Sequence, residues 1–288
     1  MLDIQNNVQL FTGDCLQNLN SDEIQDVALT FVDPPFRQGK EYRLFDDDIP
    51  EEKYWNWMKE VLLSIYNVTV NGGAVYFMQR EKNAEDVLRV LRESNWIYQN
   101  LIIWKKKTSA VPCDFRLAKQ YQIIVFATKG QKPRVFNKLR IDPPLSPEHK
   151  HSRPNGMYLT DVWDDIRELT SGYFAGDEAI RVTNGDRAHI QQSPVALLLR
   201  IILSSTKLGD IVLDPFAGSG TTSVVANQLN RPSFSIEIDP KNIDLVMDRL
   251  RQFRLADNVS KYRYYYRFTH GLDDIWVKSE EIEKVAVL

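Results

Sequence analysis

Cysteine is nearly absent: Cys15 and Cys113 are the two thiols in 288 residues, too few for a disulfide framework and in keeping with a reducing compartment. Long apolar runs are missing as well, none approaching the ~20 residues that span a bilayer. The opening "MLDIQNNVQL" has neither a basic n-region nor a long h-region. The expectation is a soluble, cytoplasmic protein with no membrane partner.

Lys and Arg do not occur at all in residues 1 to 33, which carry six acids (Asp3, Asp14, Asp22, Glu23, Asp26, Asp33). By contrast, residues 104 to 153 hold twelve Lys/Arg against three acids. The net charge of −3 hides this asymmetry. An isolated run such as Lys105-Lys106-Lys107 reads equally as a solvated face. Here the basic excess persists and is interleaved with Trp104, Phe115, Tyr121 and Phe136, which favours a polyanion-binding surface.

A hydrophobic fraction of 43% supplies a sizeable core, arranged as alternating strands and helices. Val8 to Phe11 and Leu29 to Val32 read as strands. From Pro50 the spacing of Tyr54, Trp57, Met58, Val61, Leu62 and Ile65 predicts a helix. Asn71-Gly72-Gly73 reads as a turn, Ala74 to Met78 as a strand, and Asn83 as the cap of a helix carrying Val87, Leu88 and Leu91. Trp96 to Trp104 and Tyr121 to Ala127 are strand-like. Residues 130 to 188, with Pro133, Pro143, Pro144, Pro147 and Pro154, lose this regularity, while Tyr158, Trp163, Tyr173 and Phe174 give them apolar material to pack. Order resumes with "PVALLLRIILSST", a helix apolar nearly all round and therefore buried. The strand "DIVLD", a helix from Ser223 to Leu229, the strand "SFSIEID" and a helix from Pro240 follow. Alternation of this kind predicts a mostly parallel sheet covered on both faces.

Two stretches carry chemistry. In "LTFVDPPFRQGKEY" a buried strand runs into Asp33, and Pro34 and Pro35 cannot extend its ladder. A carboxylate, rigid carbonyls and the ring of Phe36 therefore stand at a strand tip, where open α/β sheets hold their ligands. In "VLDPFAGSGTTSVVANQLNRPSFSIEIDP", Gly218 and Gly220 permit a tight turn into a helix, and Glu237 ends the next strand. A phosphate-binding loop is excluded, because the turn has no Lys. A dinucleotide site is weakened by Ser223 in place of the third glycine. S-adenosylmethionine (AdoMet), which has no phosphate, is the third reading: Asp214 would face its cationic methionine end and Glu237 its ribose.

Taken together, "TGDCL", "DPPF", "NGGAVYF", "IIWKK", "YQIIVFATKG", "HIQQSPVALLLRII", "LDPFAGSGTT" and "IEIDP" resemble the β class of amino-methylating DNA methyltransferases of the restriction-modification type. That class has the catalytic motif early, the cofactor motif late and target recognition between them. The resemblance covers roughly residues 8 to 250. It implies a Rossmann-like, AdoMet-dependent α/β fold: a mostly parallel seven-stranded sheet with helices on both faces, circularly permuted, with an inserted recognition region. The implied division is a catalytic half (1–129), a target-recognition region (130–188), an AdoMet-binding half (189–260) and a C-terminal tail (261–288).

The same resemblance assigns the chemistry to Asp33, Pro34, Pro35 and Phe36, acting on the N6 amino group of an adenine flipped out of duplex DNA. Asp33 favours adenine, since cytosine-N4 members more often carry Ser there; cytosine-N4 methylation and a catalytically silent DNA-binding subunit are the alternatives. Methylation of RNA or of a protein glutamine is disfavoured by the permuted order. To the cofactor it assigns Asp14 and Cys15, Gln191 and Pro194, the turn Asp214, Pro215, Phe216, Ala217, Gly218, Ser219, Gly220, Thr221 and Thr222, and Glu237, Ile238 and Asp239; His189 flanks the methionine end, and no metal is expected. Candidate DNA contacts are Arg37, Lys40, Lys105, Arg134, Lys138, Arg140, Lys150 and Arg153, with residues 37 to 49 as a mobile loop closing over DNA. "KYRYYYRF", Lys261 to Phe268, reads as a homodimer contact, a DNA surface or, more simply, packing against the body. A cognate restriction endonuclease is the implied partner. Family members commonly carry Tyr at position 36 and Lys at 193, where this chain has Phe36 and Ser193.

Overall fold

The computed structural model describes residues 2–4, 7–40, 42–110, 114–142, 153–169, 176–182, 184–189 and 191–277. Eleven strands occur among them: β1 (Leu2–Ile4), β2 (Val8–Thr12), β3 (Val27–Val32), β4 (Thr69–Arg80), β5 (Ile97–Lys105), β6 (Tyr121–Thr128), β7 (Arg140–Ile141), β8 (Met157–Tyr158), β9 (Val162–Trp163), β10 (Ile211–Asp214) and β11 (Ser233–Glu237). The helices are α1 (Cys15–Leu19), α2 (Glu51–Val68), α3 (Ala84–Glu93), α4 (Val195–Ser205), α5 (Thr221–Gln228), α6 (Pro240–Arg251) and α7 (Leu272–Ile275). Among the described residues no helix is long and apolar enough to cross a membrane.

One sheet has the order β1-β2-β11-β10-β3-β4-β6-β5-β9. Its central seven strands are the expected ones, with β6 antiparallel to both neighbours. The count is nine because β1 folds back on β2 and the two-residue β9 adds beside β5. Side chains alternate across the strands. Val32, Val75 and Val125 pack under α1, α2 and α3, whereas Leu29, Phe31, Tyr76 and Phe126 pack under α4 and α5. The crossover from β3 to β4 uses α2 on one face and that from β10 to β11 uses α5 on the other. The chain thus leaves β3 and β10, which are neighbours, in opposite directions, and a crevice opens beyond their C-terminal tips.

Several local expectations change. The turn at 71 to 73 is a bulge within β4, where two β3 residues, Val27 and Leu29, pair with Thr69 and Ala74. Asn83 precedes α3 without a side-chain capping bond, and Leu88 is exposed while Val90 takes the buried place. In α2 it is Trp55 that enters the core. Within 130 to 188, Leu139, Ile141, Trp163 and Ile166 join the main core, and Asp165 pairs with the buried Arg200 of α4. Tyr158 is exposed; Tyr173 and Phe174 lie outside the described residues. The segment "KYRYYYRF" packs on the body, with Tyr266 buried and accepting a hydrogen bond from Arg200 Nε (3.2 Å).

Candidate active site

Four parallel strands bring their C-terminal tips side by side: β2 delivers Gly13 and Asp14, β3 Asp33, β10 Asp214 and β11 Glu237. Asp33 and Gly218, far apart in the chain, line the same cleft.

Asp33 is held by one side chain, Ser193, whose hydroxyl donates to Oδ2 at 3.0 Å. The two prolines after it have no N–H, and the turn is secured from behind: Tyr54 donates to the Pro35 carbonyl (2.7 Å) and Gln79 Nε2 donates to the Tyr54 hydroxyl (3.0 Å). Among the described residues no donor meets the Pro34 carbonyl. Removal from bulk water pushes the Asp33 carboxyl up to about 7; the Ser193 bond, Lys106 and Lys40 oppose this and nearby Asp214 adds to it.

The glycine turn closes on itself. Asp214 accepts from the Phe216 N–H (3.0 Å) and the Thr222 hydroxyl (2.5 Å), and burial pushes it up to about 6. Glu237 accepts from the N–H groups of Gly218 (2.7 Å) and Asp239 (2.8 Å) and is raised by burial. Gly218 and Gly220 have φ of 51° and 73°. A Cβ on Gly218 would lie 3.0 Å from the His189 ring, and one on Gly220 2.7 Å from Val246 of α6. The buried Arg249 braces the turn from below, donating to the Ser219 carbonyl and the Thr221 hydroxyl at 2.9 Å each while paired with Asp257.

Of the residues expected at the cofactor, the cleft is lined by Asp14, Cys15, Gln191, Asp214 to Ser219, Thr221, Thr222, Glu237, Ile238 and Asp239. Gly220 faces α6, and Pro194 caps α4. Asp14 also caps α1, one oxygen accepting from Leu16 N (2.9 Å) and Gln17 N (3.2 Å). Burial pushes the Cys15 thiol up to about 12, so it packs as an apolar group. Burial lowers the His189 pKa, and the Gln191 carbonyl beside its Nδ1 opposes this. The helical spacing concealed Trp57, whose ring leaves the core to meet Phe216 (5.7 Å) and Phe45 (5.2 Å) at the cleft wall.

Residues 42 to 45 lie over this same cleft, with Arg43 ion-paired to Asp239. Buried Asp47 ties the start of this loop by accepting from the N–H groups of Arg37 (2.8 Å), Gln38 (2.8 Å) and Lys40 (3.1 Å), and the loop serves both sides, with Gln38 and Lys40 lining the second cavity described next.

A second cavity meets the first at Asp33, Gln191 and Ser193. Phe36 lines it from a buried position with Met78 and Trp104, and five basic residues, Lys40, Arg80, Lys106, Lys119 and Arg187, surround it with Glu81, which is ion-paired to Lys119, and Glu168. Several expected DNA contacts stand elsewhere. Arg134 pairs with Asp210 at the start of β10 (2.5 Å), and its N–H bonds Gly72 (2.7 Å), which fixes it at the end of the sheet opposite the cleft. Asn137, next to Lys138, donates to the Leu203 and Thr206 carbonyls at the C-terminal end of α4. Arg140 is turned to the Asn155 carbonyl and the Tyr158 ring, Arg153 to Met157, and Arg37 to Glu51. Lys105 is exposed at the end of β5; Lys150 lies outside the described residues.

The first cleft carries five acids, Asp14, Asp33, Asp214, Glu237 and Asp239, against one Lys/Arg, the paired Arg43. A pyrophosphate would be repelled there, whereas a cationic, phosphate-free ligand with an aromatic ring fits both the carboxylates and the Trp57–Phe216 wall.

The family model described as DNA methylase, for the N6/N4 group, matches residues 27–248. The chain belongs to this family. The methylase is 28% identical over 254 residues to the Type II methyltransferase M.HpaI of Haemophilus parainfluenzae, covering 88% of this chain and 77% of that one. It is 30% identical over 257 residues to the DNA adenine methyltransferase YhdJ of Escherichia coli K12, covering 83% and 81%. Its fold matches the M1.HpyAVI–SAM complex (TM-score 0.58, 20% identity, 85% and 100% covered) and the cytosine-N4-specific PvuII DNA methyltransferase (TM-score 0.62, 18% identity, 93% and 94% covered). AdoMet is the cofactor and DNA the substrate of this methylase.

Proposed function

We propose that the methylase transfers a methyl group to the N6 amino group of an adenine flipped out of a specific duplex site. The observation that carries this reading is the position of Asp33 where two cavities meet, one acidic and suited to AdoMet, one basic and suited to DNA. AdoMet supplies an electrophilic methyl group. The chain's part is to make a poor nucleophile attack it. An exocyclic amino nitrogen has its lone pair delocalised into the ring; if Asp33 and the free carbonyl of Pro34 accept its two N–H bonds, the nitrogen turns tetrahedral and the lone pair points into the first cleft. Both acceptors are fixed before reaction, and such preorganisation stabilises the charge that grows in the transition state. Asp33 acts ionised, so transfer fades as pH falls through about 7. Phe36 lines the second cavity and is 2% exposed, so in this reading its ring is uncovered as the base enters and then stacks on it, repaying part of the unstacking cost.

For cofactor binding we assign Asp214 to the methionine end, Glu237 to the ribose, and Phe216 with Trp57 to the adenine. Asp33 supports adenine over cytosine as the target. We assign DNA contact to Lys40, Arg80, Lys106 and Lys119 around the second cavity and target reading to the irregular segment between β6 and α4. A cytoplasmic enzyme paired with a cognate endonuclease is the setting this reading implies. The test is to incubate the protein with AdoMet and mixed-sequence duplex DNA, digest to nucleosides and identify products by mass spectrometry. N6-methyladenine is expected; N4-methylcytosine would replace the base assignment, and no methylated nucleoside would point to a silent DNA-binding subunit.

A further inference from the structure

We propose that Ser193 is a positioning residue for methyl transfer: its hydroxyl ties down Oδ2 of Asp33 so that Oδ1 and the Pro34 carbonyl stand as a fixed pair of acceptors for the target amino group. The inference rests on the reading of Asp33 as an acceptor. Three observations carry it. The Ser193 hydroxyl donates to Oδ2 at 3.0 Å, and it is the side-chain hydrogen bond that the carboxylate receives among the described residues. Ser193 itself is set at the mouth of α4, immediately before Pro194, by two neighbours with no freedom: Gln192 is bonded to Ile180 N (3.0 Å) and Glu178 O (2.9 Å), and Val195 N donates to Glu178 (2.5 Å). Finally, Ser193 lines both cavities, as Asp33 does, so the bond lies in the reaction space and not behind it.

A carboxylate with one oxygen held cannot rotate about its Cβ–Cγ bond without breaking that bond, so the free oxygen keeps its direction while the base enters. The donated hydrogen also favours the ionised form. Around Asp33 the other charged or titratable groups are Asp214 from β10, Lys106 after β5, Lys40 and Tyr42 from the loop after β3, and Tyr54 from α2. Asp214 is the other carboxyl in this set pushed toward neutrality, to about 6, and it has no bond to Ser193, while burial lowers the two lysines. A shift of the upper acidic limb on changing Ser193 therefore reports Asp33.

The experiment is the pH profile of single-turnover methyl transfer from AdoMet to mixed-sequence duplex DNA for wild type, Ser193→Ala, Ser193→Cys and Ser193→Thr. A hydrogen bond to a charged group is large enough to move the acidic limb upward by about one to two pH units in the Ala variant. The rate should fall about tenfold or more at pH 7 and recover much of the loss at pH 9. Thr, which keeps the hydroxyl, should restore the wild-type midpoint, and Cys, a weaker donor, should fall between. A rate lowered equally at all pH values, with the midpoint unmoved in Ala and Cys alike, would overturn the proposal and leave Ser193 a packing residue. Should Ala fail to fold, the Cys midpoint decides. Wild-type activity in the same experiment keeps the two readings apart: a silent wild type defeats the methyltransferase assignment, whereas an active wild type with an unshifted Ser193 variant defeats the positioning role alone.

Discussion

Replacing Asp33 by Asn keeps its shape and removes its charge, and the structure predicts opposite effects on activity and stability. The carboxyl rises from 3.8 to about 7 because it is enclosed while, among the described residues, one side-chain donor meets it. Between those two values the folded chain holds a proton that the unfolded chain has lost. Stability therefore declines as pH rises through that window, and the full cost is present above pH 7. About three units at 1.36 kcal/mol each sets this cost at roughly 4 kcal/mol at most. Asn carries no such penalty, and the Ser193 hydroxyl can either donate to its oxygen or accept from its nitrogen. At pH 8 the variant should melt several degrees higher than wild type, with the difference vanishing near pH 4. Methyl transfer should fall by about 10²–10³, the usual effect of removing one preorganised transition-state partner. DNA affinity should stay within a few fold. Calorimetry at two pH values and single-turnover transfer on the same preparation measure both. Transfer within tenfold of wild type would refute the acceptor role, and a lower melting point at pH 8 would refute the uncompensated charge.

Gly220→Ala requires a side chain at φ 73° and sets its Cβ against Val246; left-handed strain and overpacking together should cost about 2–5 kcal/mol in denaturant melts, partly recovered by adding Val246→Ala. Trp57→Ala removes the aromatic wall facing Phe216 and should weaken AdoMet binding about tenfold by calorimetry, leaving DNA affinity unchanged. Lys106→Ala should lower the slope of log affinity for DNA against log salt by about one, whereas Arg134→Ala should leave that slope untouched, because Arg134 is paired with Asp210 at the far end of the sheet.

The sequence was most readable where backbone chemistry limits the choices. Two prolines must end β3 at Asp33, and a glycine turn between a buried strand and a helix must lie at a sheet tip, so both halves of the site could be found and ordered before their meeting was seen. Side-chain direction was less accessible. Trp57 keeps the helical spacing of the core and yet turns to the cleft, because the period of 3.6 marks a face without saying what covers its margin. Arg134 shows the limit of charge patterning: a basic stretch gives the same signal whichever edge of the sheet it reaches. Ser193 could not be tied to Asp33 because their bond joins residues 160 apart in the chain, and nothing in the composition of residues 37 to 49 singles out Asp47 as the acid that accepts three backbone N–H groups.

A single carboxylate, Asp33, stands between the donor cleft and the acceptor cavity. The direct test is a structure of the enzyme with a non-reactive AdoMet analogue and a duplex bearing its methylation site. The expected result is a base turned out of the helix onto Phe36, its amino group bonded to Asp33 and the Pro34 carbonyl, and its nitrogen about 3–3.5 Å from where the methyl carbon would be. An analogue bound outside the Asp214–Glu237 cleft, or an amino group with no contact to Asp33, would contradict it.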